Sequence, residues 1–585
     1  MATHFATWLE RSVRVRDRLA SSQLGIWLAL AAFALATPSL AFGLQADDHI
    51  LRLLSLTPIG QEPWRLFYME PDAIAEARQT GALAWWTSPA LRVEFLRPLA
   101  SLTHALDFRL WPDAAWAMHM ENCLLYAAIV WVGFRLYRAL IPSAVVAGLA
   151  ALLFAIDDAH ANSTGWIAGR NALLAMLFSL LAFGVYLRAE RARRPALQVV
   201  SAALLVLALA SCESGLTAIA YMAAHAWVYG QGSWLRRLRT LTPQLFVCAG
   251  WAALYVTLGL GAHGTSWYRD ISEPFATLEA GLLDLPVWLT SLLGPSVASA
   301  LILVPATTTR LISLPVASAL VALLWKHALR SPERRFLALG ALLCLPPLFG
   351  TLPQDRVLLG ASFGAFGLLA SFIAEALQHG GRALRVAAYS LALLHGVLAP
   401  LGFGTALRAT QGIEAASQTI VDAIQRDQHQ DIVLLNTPLE LLSMYAGVIT
   451  REERGLPINT LHALYSGNSA LTVERADANT LQVRAERGWG RIPFQRIFCA
   501  ARDMPRTGDE RALRGMHVSV LETNAAGMPL TVRFRFTDSL ESRQRMFYVW
   551  QQAGLVRWRP PAIGERLSLP AVEPFALLRA PSSKS

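Results

Sequence analysis

The chain is poor in charge, lysine and cysteine. Only 16% of its 585 residues are charged, and lysine occurs just twice, at Lys326 and Lys584, with arginine used everywhere else. The five cysteines, Cys123, Cys212, Cys248, Cys344 and Cys499, show no CxxC spacing. That scarcity excludes a thiolate metal centre and a disulfide framework. Apolar residues fill the space instead: 54% are hydrophobic and the mean hydropathy is +0.39. Long uncharged runs at this density exclude an ordinary soluble multidomain protein and predict a polytopic membrane protein.

A net charge of +10 would fit a polynucleotide partner, but its distribution does not. Basic residues cluster at Arg135 and Arg138, at Arg188, Arg191, Arg193 and Arg194, and at Arg236, Arg237 and Arg239. Further clusters are Lys326, Arg330, Arg334 and Arg335, then Arg382 and Arg385. In the alternate loops Arg269, Arg310 and Arg356 stand alone. This is the positive-inside pattern. It excludes nucleic acid and points to contact with anionic membrane lipid.

The first apolar run, 24–44, is long enough to cross a bilayer. Arg11, Arg14, Arg16 and Arg18 precede it and place residues 1–23 in the cytoplasm. Asp47 and Asp48 therefore emerge on the far face, at the head of a long loop, 45–115. Two readings are open: carboxylates kept at a membrane boundary for function, or a helix end solvated by water. The loop contains the turn-rich Thr57-Pro58-Ile59-Gly60 and the segment Trp85-Trp86-Thr87-Ser88-Pro89. Its tryptophans predict a loop lying on the membrane surface, with sugar stacking as the second reading. Further runs follow at about 117–137, 143–156, 171–188, 196–211, 215–229, 243–261, 311–329, 336–351, 357–377 and 386–404. The segment 276–304, with Glu279, Asp284, Pro286 and Pro295, reads as re-entrant or interfacial. The expected fold is mainly α: a transmembrane bundle of roughly eleven spans over 24–407. A soluble, mostly β domain follows over 408–580, on the same face as Asp47. Its strands are read from alternation at 471–475, 480–484, 517–521, 530–536, 546–550 and 554–558.

On this topology the unusual polar residues converge on one face: Asp47, Asp48 and His49; Asp157, Asp158, His160 and Arg170; Glu213; and Asp355 with Arg356. A ring of carboxylates and arginines over an apolar bundle suits a substrate that is lipid at one end and charged at the other. Arginine presents a planar fork to phosphate oxygens. A carboxylate takes a proton from an attacking hydroxyl or holds a divalent cation. Each candidate also has a plainer reading. Arg170 serves equally as an interface anchor and His160 as a structural helix end. Glu213 serves as one half of an ion pair. His119 and Asn122 either cap the second span or line a pocket.

Several segments resemble one known family. Phe154–Arg170, with its Trp166-Ile167-Ala168-Gly169-Arg170 element, is similar to a signature of membrane O-mannosyltransferase-like proteins. So are Leu96-Arg97-Pro98-Leu99, the His119-x-x-Asn122 pair and Ser211-Cys212-Glu213, all in the family's order after Asp47-Asp48. Asp157-Asp158 stands where that group has His-Pro, Cys212 where it often has Lys, and the group's tetratricopeptide repeats are absent. The resemblance implies a GT-C class glycosyltransferase using a polyprenyl-phosphate sugar as donor, and the arginine-for-lysine bias suggests a GC-rich bacterium and hence a bacterial inner membrane. The resemblance also implies Asp47 or Asp48 as the base that activates an acceptor hydroxyl on a glycan, lipid or protein. Arg170, helped by Arg97 or Arg356, would stabilise the leaving phosphate. Inversion at the anomeric carbon would follow, and Mg or Mn at Asp47 and Asp48 is the cofactor option left open. The rival expectations are a transporter or flippase of lipid-linked saccharide and a non-catalytic envelope assembly protein.

Overall fold

Within a bilayer each backbone N–H and C=O must find its partner inside its own segment, so apolar runs become helices. The computed structural model describes residues 13–56, 62–302, 304–427, 430–551 and 554–572. The turn-rich stretch 57–60, Arg11 and the tail 581–585 lie outside the described residues. Among those described, seven helices are long and apolar enough to cross a membrane. They are Leu24–Ala41, Ala115–Leu140, Ile167–Ala192, Pro274–Leu293, Ala306–Ala328, Asp355–His379 and Arg382–Asp427. Ala144–Ala155 and Asp158–Gly165 form a further pair, bent by 45° where Asp157 interrupts the apolar sequence. Shorter apolar helices, including Pro195–Leu209 and Thr217–Tyr229, pack among them.

Asp355–His379 is the central post, with 83% of its most apolar window buried. Small residues on one face let a neighbour come close: a Cβ on Gly364 would stand 2.3 Å from the Leu337 carbonyl oxygen. Pro274–Leu293 is one continuous helix, which sets aside the re-entrant half of the expected re-entrant or interfacial reading. Asp284, fully buried within it, is neutralised by Arg269 and by Arg310, whose Nε lies at 2.7 Å. Both flanks of this helix return to one polar rim. Arg269 precedes it, and after it Ser296 donates to Asp158 while the Ala298 and Ser299 N–H groups donate to Asp355.

The C-terminal strands follow the alternation read from sequence. The chain's first three short strands, β1 (Tyr68–Met69), β2 (Arg92–Glu94) and β3 (Gly261–His263), form a small antiparallel sheet outside the C-terminal region. A mixed sheet of order β12-β11-β4-β5 contains β4 (Asp431–Leu434), β5 (Thr460–Ala463), β11 (Arg545–Gln551) and β12 (Gly554–Trp558). An antiparallel sheet, order β13-β6-β7-β10-β9-β8, contains β6 (Leu471–Arg475), β7 (Thr480–Ala485), β8 (Glu510–Leu513), β9 (Met516–Thr523), β10 (Pro529–Phe536) and β13 (Arg566–Leu569). Successive side chains of a strand face opposite sides. Val433, Phe547 and Val549 thus join the core with the antiparallel sheet. Ile432, Leu434, Tyr548 and Trp550 face a second core made with the helices Ala409–Asp427 and Leu441–Val448.

Part of the long first loop enters the C-terminal domain instead of lying on the membrane surface as its tryptophans predicted. Trp85 and Trp86 are 2% and 1% exposed, inside the core shared by the two C-terminal sheets. The Trp85 indole N–H donates to the Leu464 carbonyl, and its ring meets Trp86, Trp489 and Phe534 edge-on. The surface-anchor and sugar-stacking readings of these two residues are therefore corrected: they are core residues of a β domain encoded some 400 residues later. Gly81 makes the approach possible. It has a φ of +81°, and a Cβ there would lie 2.3 Å from the Leu461 carbonyl oxygen.

Candidate functional site

The site forms where the bundle's polar rim meets the C-terminal domain. Ala46 takes a left-handed φ of +51°, unusual for a residue with a Cβ, and turns the chain into the helix Asp47–Leu56. Both aspartates thus sit in the first turn, where the helix dipole favours negative charge. Successive helical residues point about 100° apart, so the pair divides. Asp48 is fully buried and accepts from the Gln45 N–H and the Ala168 N–H, each at 2.9 Å. It ties the loop to the Trp166–Arg170 turn, and burial pushes its carboxyl up to about 8. Asp47 is half-buried. Its Oδ1 accepts from the Tyr445 hydroxyl at 2.7 Å. Burial raises its pKa, against the opposing pull of the Tyr445 hydrogen bond and the Arg356 charge.

His49 clamps this helix to the C-terminal region, with Nδ1 2.7 Å from Glu453 and Nε2 3.1 Å from Glu414. Burial opposes a charge on the ring, but the two carboxylates outweigh it and hold the pKa at about 10.

The arginines sort differently from expectation. Arg170 is 1% exposed, and its guanidinium is spent on Asp107, Glu121 at 3.0 Å, Asn122 Oδ1 at 3.1 Å and the Met118 carbonyl at 3.1 Å. Buried and with four of its five N–H donors engaged inside the bundle, it is tied in as a structural hub, against the phosphate-binding expectation. Arg97 pairs with Glu213, Nη2 to Oε2 at 2.6 Å, and stacks over Phe67 and Phe95. Burial pushes Glu213 up, but the Arg97 charge and hydrogen bonds from Arg97 and Tyr255 outweigh it and hold the acid below its usual range. Arg356 is the arginine left available. It is half-buried over the Trp166 ring, 4.9 Å from the centroid, and donates from Nε to Gln354. Among the described residues no carboxylate lies within ion-pair distance of it.

The other candidates are structural ties. Asn122 donates to the Trp166 and Thr164 carbonyls, and His119 Nε2 lies 3.2 Å from the Gly43 carbonyl. His160 is fully buried between Ser362 at 2.8 Å, Tyr126 at 3.3 Å and Asp157 at 3.5 Å. Asp157 is buried with it. Asp158 is half-buried on the rim and accepts from Ser296. Among the described residues no three His, Cys, Asp or Glu side chains are grouped to hold a metal ion. The donor set at the acidic pair fits a resident cation poorly, since Asp48 turns inward to backbone N–H groups.

Sequence reasoning missed two tyrosines. Tyr445 comes from a short helix that alternation did not reveal. Tyr268 follows a loop tryptophan and packs on Phe95, 4.9 Å between centroids. Burial raises its phenol, and the charges acting on it are Arg97, Arg356, Asp47 and Glu213, which places it among all four.

Fold and site together define a polytopic membrane protein with a half-buried carboxylate and a half-buried arginine at one end, roofed by a β-rich domain. No family model matches the chain. Two curated proteins match part of it. Protein O-mannosyl-transferase Tmtc1 of Drosophila melanogaster is 28% identical over 123 residues, 21% of this chain and 14% of that protein. Protein O-mannosyl-transferase TMTC2 of Mus musculus is 32% identical over 92 residues, 16% and 11% respectively. The chain thus spans less than a sixth of either relative's length. Among solved structures, ArnT from Cupriavidus metallidurans bound to undecaprenyl phosphate aligns over 76% of this chain and 90% of its own, at 13% identity and a TM-score of 0.37. Its apo state aligns over 75% and 89%, at 12% identity and the same TM-score. Scores this low establish nothing about the site.

Proposed function

We propose that the chain is an integral membrane glycosyltransferase. It takes a sugar from a polyprenyl-phosphate donor at the periplasmic face and passes it to an acceptor hydroxyl. The observation that carries this reading is the division of labour at the acidic pair: Asp47 is half-buried, basic for a carboxylate and, among the described residues, hydrogen-bonded at Oδ1 alone, while Asp48 is locked inward. The partial similarity to O-mannosyl-transferases supports the same reaction class.

In the proposed step Asp47 takes the proton of the acceptor hydroxyl, whose oxygen bonds to the anomeric carbon. The bond from that carbon to the phosphate oxygen breaks, and the phosphate leaves with the electron pair. Arg356, at the mouth of the site, offers free guanidinium N–H groups to the charge developing there. A single displacement inverts the anomeric centre. Asp48 positions the Ala168 turn and takes no proton from substrate.

The test is turnover of purified protein with a panel of polyprenyl-phosphate sugars. Asp47→Asn is expected to lower kcat by about 10²–10⁴-fold with the fold intact. Full activity in Asp47→Asn would sink the proposal, and lipid movement across vesicles without sugar transfer would put a flippase in its place.

A further inference from the structure

The C-terminal domain reaches the rim at one chemically pointed place. The helix Leu441–Val448 lies against Asp47–Leu56, and its only hydroxyl aimed at a carboxylate of the acidic pair is that of Tyr445, 2.7 Å from Asp47 Oδ1. The turn that follows, Ile449–Glu453, brings Glu453 onto His49, two residues beyond Asp47. From the other side Glu414, on Ala409–Asp427, holds His49 Nε2 and accepts from the Ala46 N–H at 3.4 Å. Three residues of the C-terminal region thus fix residues 46, 47 and 49 through four contacts. Tyr445 itself is buried to 2% exposure in the domain's core, so its ring cannot swing away from the carboxylate.

We infer that Tyr445 is a positioning residue for the transfer: delivered by the C-terminal domain, its hydroxyl holds Asp47 Oδ1 and leaves Oδ2 as the oxygen that receives the acceptor's proton. The inference rests on Asp47 being the base. It gives the domain a part in the chemistry, beyond presenting or selecting an acceptor. A carboxylate with one oxygen pinned has a single basic lone-pair direction toward substrate, which is the pre-orientation a proton transfer requires. The groups that face Asp47 are Tyr445 from the C-terminal helix, Arg356 and Tyr268 from the bundle's loops, and Asp48 and His49 from its own helix.

The hydrogen bond favours the ionised carboxylate, so removing it raises the pKa of Asp47 further. In Tyr445→Phe the acid limb of kcat/KM against pH is expected to move up by about one unit. That is roughly a tenfold loss below the limb and little loss well above it, with KM for the lipid donor nearly unchanged. Translation of a fluorinated tyrosine at residue 445, a stronger donor, moves the limb the other way. An unmoved limb in both variants, with kcat lowered equally at every pH, would overturn the inference and leave Tyr445 a packing residue. Should Tyr445→Phe fail to fold, the fluorinated protein alone decides. Asp47→Asn separates the two proposals. If it stays active, the base assignment itself fails. If it is dead while both Tyr445 variants keep the native profile, only the role of Tyr445 fails.

Discussion

At the scale of single residues, two arginines that look alike in sequence have opposite fates. Arg170 and Arg356 each precede an apolar helix on the acidic face. What separates them is company from elsewhere in the chain: Asp107 and Glu121 pair with Arg170, and among the described residues no carboxylate lies within ion-pair distance of Arg356. Arg170→Gln is expected to leave buried Asp107 unpaired and cost about 3–5 kcal/mol, seen as a lowered unfolding midpoint in detergent with KM unchanged in whatever protein survives. Arg356→Gln is expected to keep the midpoint and lose roughly a hundredfold in kcat/KM for the lipid donor. If the two phenotypes exchange, the assignment of the phosphate-facing arginine is wrong. The sequence made Asp47 legible because a carboxylate ending an apolar run stands out. It could not rank the arginines, because the ranking depends on contacts between helices. The Arg97–Glu213 pair was hidden for the same reason, its two halves lying 116 residues apart.

Elements were easier to read than their partners. Strands with one face in a core alternate, and β6, β7, β10, β11 and β12 fall within a residue or so of where alternation puts them. The edge strands β8 and β13, each with one strand neighbour, left no such trace. Leu441–Val448 escaped because a helix buried on nearly every side has no polar face to mark its period. The re-entrant reading of Pro274–Leu293 came from Asp284, whose charge reads as exposure until Arg269 and Arg310 are seen closing on it. The loop's tryptophans were misplaced since an indole fits a membrane interface and a protein core equally well. Trp85→Ala is expected to cost about 3–5 kcal/mol of C-terminal domain stability and to open that domain to limited proteolysis. Proteolysis unchanged from the native protein would return Trp85 to the surface.

For the molecule as a whole, the bundle and the β-rich domain are coupled through His49. Its pKa is about 10 when folded and near 6.5 in an unfolded chain, so it binds more proton in the folded state between those values. The stabilisation is fully present below about pH 6.5 and is lost as pH rises through about 10. The thermal midpoint is therefore expected to fall across that window, and His49→Gln to lower the plateau and flatten the slope. Equal alkaline slopes in the native protein and His49→Gln would show that other groups govern it.

The entry of Trp85 and Trp86 into the distal sheets also sets an order of manufacture. The carbonyl that receives the Trp85 N–H belongs to a residue made 379 positions later. A nascent chain therefore inserts most of its helices while this loop waits, two indoles bare, for a fold that does not yet exist. Tyr445 arrives with that same late material. In the proposed mechanism, Asp47 therefore meets the hydroxyl that orients its proton-accepting oxygen only after residue 445 has been made and its helix has docked.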